Sequence, residues 1–173
     1  MINVVAPRFD LHECRSECER EFIDLLHSRA EAGAWYADSW PRDDRIIITV
    51  DICDPERNGV LRMLRVDYDG STLTFGRDET CQLATDLDPS RAGVIVMRDR
   101  SIADLAAAAA DWLEREMSRP IVRHEWERPG FTRILWVLAD TGEALVVSDS
   151  ANAKSRDGLG PPDRTVPVPI SLK

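Results

Sequence analysis

From Ser101 the chain places apolar residues at three- and four-residue steps: Ile102, Leu105, Ala106, Ala109, Trp112, Leu113 and Met117. Asp111, Glu114, Arg115, Glu116 and Arg119 fall mostly off that stripe. This is the period of an α-helix with one dry side. Ser101 suits the N-cap, and Asp104 sets a carboxylate in the first turn, where free backbone N–H groups favour it. The run Ala106–Ala110 joins high helix propensity to small bulk, so another element can approach closely. Pro120 ends the helix, because it has no backbone donor and disfavours helical geometry in the residue before it.

The pattern then switches to a period of two. Val122, His124 and Trp126 alternate with Arg123, Glu125 and Glu127, and Pro129-Gly130 supplies a turn. Ile134, Trp136 and Leu138 alternate with Leu135 and Val137, so this strand is apolar on both faces and is predicted to be central. Asp140-Thr141-Gly142 turns the chain into Ala144–Ser148. A helix lying across a three-stranded antiparallel meander is the expected local unit.

Upstream the same plan recurs. A first helix is predicted from Asp10, with Glu13 three residues on as a variant capping box. Leu11, Cys14, Cys18, Phe22, Leu25 and Leu26 form its expected buried stripe, Glu13, Glu17, Glu19, Arg20, Glu21 and Arg29 its wet side, and Gly33 a stop. Trp35, Tyr36 and Trp40 read as a connecting loop. Ile46–Ile52, Val60–Tyr68 and Thr72–Gly76 read as strands, joined by a loop ending in Asn58-Gly59 and a tight turn at Asp69-Gly70. Arg77–Ala92 is irregular, with Leu83, Ala84 and Leu87 tucked onto the core, and Val94–Met97 is a further short strand.

The order is thus α-βββ-(β)-α-βββ-extended tail. It predicts an α+β fold of two layers, with two helices packed on one or two antiparallel meanders. Residues 1–150 are expected to form a single domain, and 151–173 a proline-containing extended C-terminal arm. In that arm Val166, Val168, Ile170 and Leu172 alternate with Pro167, Pro169 and Ser171. Proline is confined to sheet edges, so the arm is expected as an edge segment or a mobile tail.

The length of 173 residues suits one domain with a sizeable core. A formal charge of −9 argues against general affinity for nucleic acid or an anionic membrane and favours a basic partner. Lysine occurs only at 154 and 173, so nearly all positive charge is arginine, a bias that a GC-rich genome also produces. No apolar run approaches the roughly 18–20 residues that span a bilayer. Met1–Val5 lacks the basic and apolar regions of a signal peptide, so a cytoplasmic location is expected. In that compartment Cys14, Cys18, Cys53 and Cys81 are expected to be reduced and buried.

Candidate chemistry is sparse. Cys14 and Cys18 stand one helical turn apart, but no second ligand pair joins them, so core packing is favoured over a metal. No metal or cofactor is expected. His124 and Glu125 point to opposite faces of a strand and cannot cooperate directly. Ser148-Asp149-Ser150 lacks a nucleophile-elbow sequence, Asp67-Tyr68-Asp69-Gly70 lacks the later ligands of a calcium loop, and Gly158-Leu159-Gly160 precedes no helix. The want of an acid, base, nucleophile or metal set favours a protein without catalytic activity.

Two readings follow. In the preferred one, Trp35, Tyr36 and Trp40, interleaved with Asp38, Asp43 and Asp44, form an acidic-aromatic surface that binds a basic protein. In size, acidity and mixed α+β content the chain resembles bacterial immunity proteins, which neutralise nuclease-type toxins. That resemblance is one of character, without a shared motif, and implies no particular residues. The alternative is a small-molecule or enzymatic pocket between helix and sheet, lined by His124, Trp126 and Trp136. The strand Leu135–Leu138 and the arm each offer a route to a dimer, and the oligomeric state is left open.

Overall fold

The structure is a computed structural model that describes residues 9, 11–57, 59–79, 83, 85–150 and 159–172. Its first α-helix, α1 (Glu17–Gly33), follows a single 3-10 turn at Leu11–Glu13. The helix therefore starts later than the expected Asp10, which lies outside the described residues. The cause is a better cap. Ser16 Oγ accepts the N–H of Glu19 at 3.1 Å, and the Glu19 carboxylate accepts the backbone N–H of Arg15 at 2.8 Å. One donor that a helix start leaves unpaired is thereby satisfied, and the residue before the cap is tied to the first turn.

The later start shows in the buried face. Phe22, Ile23, Leu26 and Ala30 are buried, and Phe22 stacks on Tyr68 with ring centres 4.2 Å apart. Glu19, expected on the wet side, is buried and paired with Arg15. Cys18 and Leu25, expected in the stripe, are exposed. Cys14, Cys18 and Cys53 are free thiols, of which Cys53 alone is buried, while Cys81 lies outside the described residues. Ala34 closes the helix at φ 52°, and the Trp35 N–H returns to the Ala30 carbonyl at 3.1 Å. The Trp35 ring then folds back so closely that a Cβ at Gly33 would lie 2.6 Å from it. Gly33 is needed for that approach, and the left-handed cap falls to the next residue.

Five antiparallel strands follow in meander order: β1 (Asp38–Pro41), β2 (Ile46–Asp54), β3 (Gly59–Tyr68), β4 (Leu73–Arg77) and β5 (Ile95–Met97). β1 was expected as loop. Helix α2 (Ile102–Met117) has Ser101 as N-cap, its Oγ accepting the Asp104 N–H at 3.1 Å, and buries Leu105, Ala106, Ala109, Ala110, Trp112, Leu113 and Met117. A second antiparallel sheet holds β6 (Ile121–Arg128), β7 (Phe131–Leu138), β8 (Ala144–Asp149) and β9 (Arg164–Pro167) in the order β8-β7-β6-β9. β7, apolar on both faces, is interior as expected.

The fold is α+β with two sheets. α2 packs on α1 and touches β3 and β4 of the first sheet, rather than lying across the meander that follows it. The alanine run explains this preference, because Ala106, Ala109 and Ala110 let α1 approach. One core runs from Ile46, Ile48, Val50 and Ile52 of β2 through Phe22, Leu26 and Leu113 to Ile121, Ile134 and Leu138 of the second sheet. Each such large side chain contributes roughly 1.5–3 kcal/mol on burial.

The C-terminal segment closes the structure. β9 pairs with β6, while β10 (Ser171–Leu172) pairs with β2 at Cys53 and Ile52. Between them Val168 is buried in the core, and its N–H donates to the Ile121 carbonyl at 3.0 Å. Pro161 and Pro162 precede β9, and Pro167 and Pro169 lie at or beyond its end, where a missing donor costs little. The described part of the arm is a clasp spanning both sheets.

Candidate functional site

The acidic-aromatic stretch divides into buried and exposed halves. Trp35 is buried and donates its indole N–H to Glu114 of α2 at 3.2 Å. Tyr36 is also buried, with its hydroxyl donating to Asp38 at 2.8 Å. Trp35 thus ties the segment to α2, and both residues present little surface.

Trp40, Asp43 and Asp44 lie at the β1–β2 hairpin. Trp40 pairs with Ile47 across the ladder and is 46% exposed. Its indole N–H donates to Thr49 Oγ1 at 3.3 Å, which fixes the ring against the sheet. Trp40 is the one aromatic among the exposed large apolar side chains of the described residues. At the tip, the Arg42 N–H meets the Arg45 carbonyl at 2.8 Å, and Asp43 and Asp44 are exposed between them. Asp44 pairs with Arg45, whose guanidinium holds the Asp44 carboxyl below the usual carboxylate range. Asp43 forms no ion pair among the described residues.

The hairpin is held by a ladder of charges on the outer face of the first sheet. Arg42 reaches Asp86 at 2.9 Å, and Arg45 lies 3.6 Å from Asp86 and 3.5 Å from Asp67. Asp67 takes both Nε and Nη2 of Arg65, at 2.6 and 2.8 Å, and Asp78 takes Arg65 Nη1 at 3.2 Å. Arg65 is fully buried. The ladder fastens the segment between β4 and β5 against the sheet, with Leu87 buried and Leu83 half-buried; Ala84 lies outside the described residues. The sequence held a signal for the ladder, since Arg65 and Asp67 two apart on a strand share a face.

His124, Trp126 and Trp136 do not line one pocket. Directly paired residues of neighbouring strands share a face, and Trp136 pairs with Arg123 while His124 pairs with Leu135. Trp136 therefore lies on the inner face and His124 on the outer. His124 Nδ1 is 2.9 Å from Thr165 Oγ1 of β9, and Trp126 donates its indole N–H to the Gly160 carbonyl at 3.1 Å. Both contacts hold the C-terminal segment. The inner face of β6 carries Arg123 and Glu125, both buried, although their charge suggested the wet side. Arg123 bonds Glu125 at 2.7 Å, Asp54 at 2.7 Å and Glu56 at 2.8 Å, which satisfies its donors away from water.

Among the described residues no group of three or more histidine, cysteine, aspartate or glutamate side chains is arranged to hold a metal, and no helix is long and apolar enough to cross a membrane. Comparison with known proteins finds no matching family model, no matching curated protein and no matching solved structure.

Proposed function

We propose that this protein is a non-catalytic interaction module that docks a basic protein through its β1–β2 hairpin. The observation carrying this reading is the exposed, hydrogen-bonded Trp40 beside the exposed carboxylates Asp43 and Asp44. Tryptophan is favoured as an interface anchor, and a ring already fixed in place loses little freedom on binding. The formal charge of −9 steers a basic partner toward the surface, and Asp43 is free to pair with it.

The short edge strand and its fastened tip provide a rigid platform. Trp35 and Tyr36 are buried and Tyr36 occupies Asp38, so the contact surface is Trp40, Asp43 and Asp44 rather than all six residues of the stretch. Trp40→Ala is expected to weaken partner binding by about 2 kcal/mol or more. Asp43→Lys combined with Asp44→Lys is expected to abolish it at unchanged melting temperature. Unaltered affinity in both variants would refute the assignment. No observation favours the pocket around His124.

A further inference from the structure

Beside the C-terminal half of α2 lies a cleft of about 300 Å³. Its walls carry Arg62 of β3, Arg77 at the end of β4, Arg91 from the segment before β5, Arg115 of α2 and Arg119 just beyond α2. Five arginines converge here in a chain of formal charge −9. The carboxylates on the same walls are Glu79, Glu116 and Glu143, which leaves an excess of two guanidiniums. One remains in excess even when Asp140, which holds Arg119 at 2.9 and 3.0 Å from outside the cleft, is counted with them.

Arg62 gives the cleft its direction. It is 5% exposed, donates from Nη2 to Glu116 at 2.8 Å and from Nη1 to the Glu116 carbonyl at 3.4 Å, and its buried Nε–H has no acceptor among the described residues. A buried donor without an acceptor is costly, more so on a cation; this one is closed off from solvent, so an anion gains it only as the Arg62 side chain exchanges Glu116 for the ligand. Arg115 is well exposed and lies 3.8 Å from Glu116, beyond hydrogen-bond reach, so that pair leaves its donors uncommitted. Arg77 pairs with Glu143 and Arg91 with Glu79 at the surface, where such pairs are weak enough for a stronger acceptor to displace them. Trp112, packed on Phe75 with ring centres 5.1 Å apart, supplies an apolar wall.

We propose that this cleft binds a small phosphorylated molecule, its phosphate held by Arg62, Arg77 and Arg115. Guanidinium forks pair with both carboxylates and phosphates, but three converging forks present more donors than the two oxygens of one carboxylate accommodate. A phosphate monoester offers three charged acceptor oxygens. The volume is at the small end of ligand sites, which suits a single small molecule with its organic part against Trp112. The site uses none of the hairpin residues and stands independently of partner docking.

The test is isothermal titration of the full chain with inorganic phosphate and phenyl phosphate, with benzoate as the single-carboxylate probe. Saturable one-to-one binding of both phosphates is expected, with benzoate weaker. Arg77→Gln and Arg115→Gln, changes on the cleft rim that leave the core intact, are each expected to weaken phosphate binding about tenfold. Arg62→Gln should weaken it further. The proposal is overturned if neither phosphate gives saturable heat, if benzoate binds as tightly as phenyl phosphate, or if both rim variants bind like the parent.

Discussion

Trp136 of β7 donates its indole N–H to Asp54 Oδ2 at 2.8 Å, joining residues 82 positions apart and the two sheets of the fold. Arg123 of β6 reaches the same oxygen at 2.7 Å, and the Glu56 N–H occupies Oδ1 at 2.9 Å. Asp54 is fully buried, so the carboxylate survives there only because every contact on it is a donor. Removing one neutral donor should be tolerated better than removing the acceptor. Trp136→Phe is expected to cost about 1–3 kcal/mol, and Asp54→Ala about 3–5 kcal/mol because it strips a partner from buried Arg123. Urea unfolding of both variants gives the order; equal costs would contradict it.

The same site sets the acid limit of the fold. Burial alone would raise the Asp54 carboxyl, but hydrogen bonds from Trp136, Arg123 and the Glu56 backbone outweigh it and hold it below its ordinary range. Glu116 is lowered likewise, burial being outweighed by hydrogen bonds from Arg62 and Arg119. A carboxyl lowered in the folded state contributes stability that is complete above its unfolded pKa of about 4 and is lost as pH falls through the folded value. Stability should therefore hold down to about pH 4 and drop steeply below it. In Asp54→Asn the drop should be shallower, as read by denaturant midpoints across that range.

Tyr68 predicts the alkaline side. Burial is the main cause that pushes its hydroxyl from near 10 up to about 12, with the charges of Cys18 and Asp69 adding to it. The unfolded chain then loses this proton before the folded one does, so stability should fall as pH rises between about 10 and 12. The difference between the 295 nm tyrosinate titrations of the parent and of Tyr68→Phe isolates Tyr68, and Tyr68→Phe should remove this contribution to the alkaline loss.

Arg65 tests whether the outer ladder is held together by its pairs. Asp67→Ala leaves a fully buried guanidinium with Asp78 as its remaining carboxylate and should cost about 3–5 kcal/mol. Adding Arg65→Met removes that guanidinium but also takes it from buried Asp78, so adding Asp78→Ala as well should be needed to recover much of the loss. A double-mutant cycle measures the coupling directly. Additive effects would mean that the two side chains act independently.

The clasp is open to a hydrogen-exchange test. Truncation after Asp163 removes β9 and β10, and with them the buried Val168. Amides of β6 between Val122 and Glu125, and of β2 at Ile52 and Cys53, should exchange faster while those at the β2–β3 centre stay protected. Val168→Ala alone should cost about 1–2 kcal/mol.

Much of this architecture can be read from the chain. The α2 stripe, its Ser101 cap and the two-faced β7 follow from periodicity, because each is set by local spacing and burial together. The start of α1 was legible but misplaced: Ser16-x-x-Glu19 is the capping signature, and Asp10 drew attention from it. β1 escaped because four residues ending in proline form no pattern; its pairing comes wholly from β2. The inward turn of Arg123 and Glu125 was beyond the alternation rule, which separates two faces without saying which one is dry. Their pairing with each other and with Asp54 and Glu56, nearly seventy residues away, makes that burial tolerable. For the same reason Trp35 reads as a surface aromatic, because its partner Glu114 lies 79 residues on.

The docking proposal is tested most directly by parallel affinity capture from a lysate of the source organism. The baits are the parent chain, Trp40→Ala, and the combined Asp43→Lys and Asp44→Lys variant, each washed at low and high salt. The account predicts one stoichiometric basic protein that the parent retains at low salt, that high salt releases, and that both variants fail to hold at unchanged melting temperature. Retention of the same protein by all three baits, or recovery of the parent chain alone, would contradict it.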